Sequence, residues 1–459
     1  MREKIHNILK YIRSNPDLTL LQGMVLVLPF ERIPSIDVSF ITLRPSLFIG
    51  GLLILRGLWI LIKSRKSGWL PIEIVLLGLF ILWVSLIIPI SINQIRAIQV
   101  VLYTVFAIGV GISVFYLWKN IGELSRRKVI ITLYIAAIIT SVFGIYQYFG
   151  DFFGLNSSWT GLSERYSWRV FGFARIQSTG LEPLYFGSYL LLPTLLLINE
   201  VLYRKKIIRY SGVVLTLFIA TLSLTLSRGA IYGLIGALIL TFVCTAIYRR
   251  KLVSGRLVRV ALAIAIGFIL ALSCIQLFNR TPLISDSPAE GKKAAGAYVQ
   301  QLTNSGVEGS GDDRSRFRLK AIRLSTSDMN VLLFGIGPGQ FGPYIQGPNA
   351  VGGWAIVNNL PLEILLETGL VGLILLLTLI ILLVRQSIMY LRRPNSRDTY
   401  LVAGLLTYIF SQLIQAQTFS TLYIMHIWVA IGLLMGVVVS NKDNLNGQAK
   451  KIKNTTSKN

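Results

Sequence analysis

The chain has 459 residues, of which 53% are hydrophobic and only 14% charged, and it carries a formal charge of +25. Apolar runs of about 18 residues or more recur along nearly all of it, more than a soluble fold can bury, so the class is a polytopic membrane protein with a helical backbone inside lipid. The basic residues sit in loops rather than in a basic-aromatic module, which excludes nucleic-acid recognition, and two cysteines and two histidines exclude a disulfide framework and a histidine-rich metal site.

Residues 1–17 (MREKIHNILKYIRSNPD) form a basic amphipathic extension without a cleavage site, expected in the cytoplasm. Hydropathy then predicts nine spans within 18–278, near 18–34, 46–62, 70–92, 98–118, 129–150, 184–203, 210–226, 229–248 and 258–278. The first is interrupted by Pro29 and Glu31, and Cys244 and Cys274 fall inside apolar runs as small core residues. Residues 279–356 form one long external loop between spans nine and ten, a length that is uncommon without a functional reason. It holds a short helix (AEGKKAAGAYVQQL), a polar linker (GVEGSGDD), a basic helix (RSRFRLKAIRLS) and the turn-rich GIGPGQFG. Three spans fill 357–440, near 358–384, 399–416 and 420–440, the last two meeting at a tight turn near Thr418; the lysine-rich tail 441–459 has a disordered composition. The fold class is thus all-α, with about twelve transmembrane helices. Alternate loops carry the lysines and arginines, which places both termini in the cytoplasm. No internal repeat and no broken helix is predicted.

The external face holds arginines that this charge rule does not explain. Arg175 lies in FARIQSTGLEP, Arg228 in LTLSRGAIYG between two spans with almost no loop, and Arg316 in DDRSRFRLK with Arg314 and Arg318 beside it. The planar guanidinium binds phosphate bidentately, so three of them on one face suit a diphosphate at the membrane surface. Plainer roles fit the same residues: snorkelling at a helix end for Arg228, a pair with Glu164 or Glu182 for Arg175, and a solvated helix face for the Arg314–Arg323 run. Glu182 precedes Pro183 and is either an acid in a first helical turn or a carboxylate that holds an arginine or accepts a proton.

In VNNLPLEILLETGLVG (357–372), Asn359 with Pro361 makes an N-cap and first turn. Asn359, Glu363 and Glu367 lie four apart and share one helix face. Glu367, roughly 12 Å below the cap, must face the protein interior, a water-filled cavity or a cation. Capping plus one structural ion pair is the plainer alternative. Gly369 and Gly372 suit close helix packing.

In this order, RIQSTGLEPLYFGSYL, TLSRGAIYGL, SRFRLKAIRLSTSDMNVLLFGIGPGQF and NNLPLEILLETGLVGL resemble the O-antigen ligase and O-antigen polymerase superfamily, bacterial multi-span glycosyltransferases, over about residues 170 to 375. The resemblance implies a polyprenyl-diphosphate-linked oligosaccharide donor, a glycan or lipid-linked acceptor, transfer on the non-cytoplasmic side of the bacterial cytoplasmic membrane, and no metal or other cofactor. It further implies that Arg175, Arg228 and Arg316 hold the diphosphate and stabilise the charge that grows on it. Arg314, Arg318, Asn358 and Asn359 would complete the substrate contacts, and the external loop would position the acceptor. Membrane lipids and a chain-length regulator protein are the further partners it implies.

One departure matters. The histidine that ligases place here aligns with Asn358, which orients a hydroxyl but cannot act as a base. Glu182, Glu363 and Glu367 are the candidates to take the proton, unless the diphosphate itself does. This favours a polymerase of surface polysaccharide over a ligase to lipid A-core. A twelve-span solute transporter and a scaffold of a polysaccharide assembly complex are the readings from other classes.

Overall fold

The computed structural model describes residues 14–38, 41–64, 70–167, 174–203, 205, 207–248, 254–279, 310–349, 354–393, 398–420 and 422–439. The N-terminal extension up to residue 13, the expected helix at 289–302 and the basic tail lie outside the described residues. The main helices are α1 (Pro16–Val27), α2 (Pro45–Ser64), α3 (Ile72–Leu86), α4 (Gln94–Asn120), α5 (Glu123–Phe152), α6 (Pro183–Leu202), α7 (Ser211–Leu224), α8 (Arg228–Tyr248) and α9 (Ser254–Asn279). After them come three short helices, α10 (Ser310–Ser325), α11 (Met329–Phe334) and α12 (Phe341–Gln346), and then α13 (Leu360–Leu391), α14 (Thr399–Gln415) and α15 (Met425–Val439).

Among the described residues, eight helices (α2–α6, α8, α9 and α13) are long and apolar enough to cross a membrane, and α1, α7, α14 and α15 are shorter apolar helices. The chain is an integral membrane protein. One departure from all-α is a short antiparallel hairpin, β1 (Ile36–Val38) with β2 (Ile41–Leu43), in which Ile36 faces Leu43. It belongs to the connector between α1 and α2, because the first helix ends at Val27 and leaves Pro29 and Glu31 outside it. The interruption in the first predicted span is therefore its end.

Helix α6 is the axis of the bundle. Its residues from Phe186 to Glu200 are all buried, as expected of a helix that is apolar all round, and it packs against α14, α7 and α8. The ends of successive helices fall on two faces. On one, Arg126 at the start of α5 pairs with Asp398 before α14 at 3.1 Å, and Arg256 at the start of α9 donates to the Leu202 carbonyl at 2.9 Å. Arg175, Glu182, Arg228, Arg318 and Asn358 all lie at the other face.

Helix α13 was expected to be continuous and is broken. Its 32 residues would rise roughly 48 Å as one rod, well beyond a hydrocarbon core of about 30 Å. At Gly369 φ is +68° and ψ −174°, a conformation essentially reserved for glycine. Gly335 adopts the same conformation (φ +80°, ψ −173°) and packs directly against the break. The carbonyls freed there are re-satisfied by protein: Ile336 N–H donates to Leu366 O at 2.9 Å, Gly337 N–H to Glu367 O at 3.0 Å, and the Trp83 indole N–H to Thr368 O at 2.8 Å. Non-helical backbone at this depth is tolerable only with such partners. Gly369 thus breaks the helix and also permits the close packing expected of it, here against Leu333 and Phe334. Residues 370–391 that follow suffice for one crossing.

A Cβ on Gly369 would run into the Leu333 carbonyl and force a glycine-only conformation. Gly369→Ala is expected to cost about 1–3 kcal/mol and to lower the thermal unfolding midpoint in detergent, whereas Gly51→Ala, where a Cβ meets open space, leaves it unchanged.

Candidate functional site

The centre of the site is the junction between the start of α13 and the 416–420 turn after α14. Asn359 caps α13 as its sequence implies, with Oδ1 accepting the Leu362 N–H at 3.1 Å. Its own N–H donates to Ser420 Oγ at 2.7 Å, its amide group donates to Gln417 Oε1 at 3.2 Å, and Leu360 N–H donates to Ala416 O at 2.7 Å. Asn358, immediately before the cap, holds a left-handed backbone (φ +55°), which asparagine tolerates better than most residues.

Helix α10 docks on this junction. Phe317, Ala321 and Leu324 recur at helical spacing and pack with Ile336, Phe341, Val357 and Leu366 in a small second core. That register turns Arg318 inward, where one guanidinium nitrogen donates to both Asn358 O (3.0 Å) and Gln417 O (2.8 Å). Burial, and after it the like charge of Arg314, lowers the Arg318 guanidinium from its ordinary value. Arg314 is partly buried on the same flank, one turn away, and Arg316 is exposed.

The two glutamates of α13 are buried and differently occupied. Glu367 takes the Gly339 N–H at 2.7 Å on one oxygen and the Phe341 N–H at 3.2 Å on the other. It holds the glycine-rich turn, in which Gly335, Gly337 and Gly339 all have positive φ. Of the surroundings allowed for Glu367, the structure shows the protein interior. The Glu363 carboxyl is hydrogen-bonded by the Ser420 hydroxyl and the Val357 N–H. Arg96, at the start of α4, lies within electrostatic reach of both carboxyls. It donates to Gly339 O at 2.7 Å and stacks over the Trp354 ring at 4.9 Å. Gln340 fixes the same turn to α4 through both polar groups of the Asn93 backbone, at 2.8 and 3.0 Å.

A second cluster adjoins the first. Ile176 N–H donates to Leu224 O at 3.2 Å, which sets the Arg175 segment beside the turn that leads into Arg228. Leu226 in that turn has φ +53°, and a Cβ on Gly229 would touch Thr418 and Gln415, so α8 starts against the 415–418 segment. Arg175 lies over the Tyr166 ring at 5.8 Å. The Tyr166 hydroxyl hydrogen-bonds Glu182, and burial first, then the Glu182 charge, raise it from its ordinary value. Tyr166 therefore contacts both the arginine and the glutamate that the sequence suggests as partners. Tyr185, one turn into α6, is within electrostatic reach of both Glu182 and Glu363, which joins the two clusters.

Sequence reading singled out neither Arg96, Gln340, Gln417 nor Ser420. Arg96 follows a helix-capping asparagine in SINQIRA, two residues before the fourth predicted span, and QAQTFS is a polar interruption between two apolar runs. Both signals mark helix ends and say nothing of which other end they meet.

The O-antigen ligase family model matches residues 213–377. This segment is similar to the O-antigen ligase and polymerase superfamily. The matched segment supports membership of the O-antigen ligase family for this part of the chain. The match includes Arg228, Arg314, Arg316, Arg318, Asn358, Asn359, Glu363 and Glu367, and leaves out Arg175 and Glu182. No curated protein matches the chain significantly.

The Glu367 carboxylate is the anchor of the glycine-rich turn, and a hydrogen bond to a charged group contributes about 1.5–3 kcal/mol. In Glu367→Gln the amide turns an N–H toward one of the two backbone N–H groups. Amide hydrogen exchange at Gly339 and Phe341 is expected to accelerate about 10–100-fold, with exchange in the α6 core unchanged.

Proposed function

We propose that this enzyme transfers and polymerises polyprenyl-diphosphate-linked glycan units on the outer face of the cytoplasmic membrane, as a surface-polysaccharide polymerase rather than a ligase to lipid A-core. The observation that supports the reading is Arg318 on the Asn358 and Gln417 carbonyls, with the start of α8 at Arg228 packed against the adjoining 415–418 segment and the Arg175 segment beside the turn that leads into α8. That face is the non-cytoplasmic one if the basic loops are inside, with both termini in the cytoplasm.

In the proposed reaction, a hydroxyl of the acceptor attacks the anomeric carbon of the donor. The bond from that carbon to the diphosphate breaks, and its electron pair leaves on the phosphate oxygen. Arg175, Arg228 and the exposed Arg316 meet the charge that grows there. Arg318 does its work through the junction, by holding the Asn358 and Gln417 carbonyls so that the Asn358 side chain can orient the hydroxyl. Because Asn358 takes no proton, the polymerase assignment rests on its standing where ligases carry a histidine. Glu367 is committed to backbone N–H groups, which leaves Glu182 and Glu363 of the three carboxylates read from the sequence.

The break at Gly369 is a device that transporters also use, with the freed backbone groups coordinating ions. Here Ile336, Gly337 and Trp83 occupy those carbonyls, which supports an enzyme over a transporter.

Arg228→Ala and Arg316→Ala are each expected to abolish long-chain surface polysaccharide, with membrane levels of the protein unchanged on immunoblots. A normal chain-length ladder from both would remove these arginines from the reaction. Purified protein given a single lipid-linked repeat unit should build a ladder of products; a single addition to a lipid A-core acceptor would instead identify a ligase.

A further inference from the structure

The connector between α1 and α2 lies outside the family-matched segment, yet it reaches the site. Glu31 N–H and Arg32 N–H both donate to Thr179 O, at 3.2 and 2.9 Å. Thr179 Oγ1 donates back to Pro29 O at 2.6 Å, and the Arg32 guanidinium donates to Gly161 O at 2.8 Å. These bonds pin Glu31 beside the start of α6, where the Leu181 N–H hydrogen-bonds its carboxyl and Arg44 lies within electrostatic reach. Tyr185 is in reach of Glu31, Arg44, Glu182 and Glu363 together, and Phe419 packs edge-on against its ring at 5.0 Å. Four charged groups from three separate stretches of chain thus surround one tyrosine.

The occupancy of the carboxyls differs. Glu367 is filled by backbone N–H groups, Glu363 is bonded by Ser420 and Val357, and Glu182 by Tyr166. Glu31 Oε2 is buried without a hydrogen-bond partner among the described residues, and so is Arg44 Nε beside it. A purely structural pair would join such groups, since a buried polar atom left unpaired is destabilising. Opposite charges held in reach but unbonded are placed to engage a third group.

We infer that Glu31, held beside Arg44 at the start of α6, is the proton acceptor of the glycan transfer. The inference rests on the proposed transfer reaction and answers the question that Asn358 leaves open. As the acceptor oxygen forms its bond to the anomeric carbon, its proton passes to the Glu31 carboxylate, and the electron pair of the broken bond leaves on the diphosphate. The protonated Glu31 then returns its proton to water. Glu31 sits in the connector beyond the end of α1. Burial pushes its carboxyl up to about 7, against the opposing pull of Arg44 and the Leu181 N–H. A base is active only when ionised, so the rate should climb as pH rises through about 7 and level off above it.

The test is the pH profile of purified protein in nanodiscs, with an undecaprenyl-diphosphate-linked repeat unit as the probe. Glu31→Gln is expected to lower kcat at least about 100-fold with KM little changed, to abolish the acid limb, and to leave the unfolding midpoint at pH 5 as in the wild type. Glu31→Asp should keep measurable turnover with a displaced acid limb. Wild-type kcat in Glu31→Gln, or an acid limb of unchanged position in Glu31→Asp should the glutamine variant not fold, would overturn the inference while the transfer reading stands. A wild-type protein inert toward lipid-linked glycans of every kind would bring down that reading, and the inference with it.

Discussion

Backbone groups freed by the break at Gly369 must be paired, and the architecture of the site follows from how they are. A helix interrupted at this depth cannot rely on water. The chain answers with the second half of its long loop, which returns to the break and supplies Ile336 and Gly337 N–H groups to the carbonyls of Leu366 and Glu367. The approach is so close that a glycine is required on both sides, Gly335 and Gly369. Once the two backbones touch, the Glu367 carboxylate finds the N–H groups of Gly339 and Phe341 above it, and the loop becomes part of the bundle.

That docking explains why helix α10 holds its side chains in a fixed register. Helix α10 buries Phe317, Ala321 and Leu324 on the surface that the returning loop has built, and this register turns Arg318 toward the α13 cap while leaving Arg316 exposed. Arginines two residues apart on a helix point in different directions, so they cannot share one role. Arg318 donates to the protein's own carbonyls, and Arg316 lies on the exposed side of the helix.

The 416–420 turn is the second meeting point. Its carbonyls and side chains receive the caps of α13, the guanidinium of Arg318 and the close approach of α8. A short polar turn between two apolar helices thereby fixes three helix ends relative to one another.

Composition and hydropathy alone determined the membrane class, the order of the apolar helices and the alternation of basic loops, because burial in lipid and the charge asymmetry of membranes act on local sequence. The same is true of the Asn359 cap, whose geometry involves three neighbouring residues, and of the family motifs, which are short and ordered. The break in α13 was not legible, since a glycine in an apolar run reads equally as a packing residue until the loop that completes it is known. Nor were Arg96, Gln417 and Ser420 at the centre of the site, or Tyr166 in contact with both Arg175 and Glu182. Glu31 showed only as a blemish in the first apolar run. Each of these depends on which distant helix end lies opposite, and that is decided by tertiary packing around α6 and by the need to pair buried polar groups, neither of which any single stretch of sequence contains.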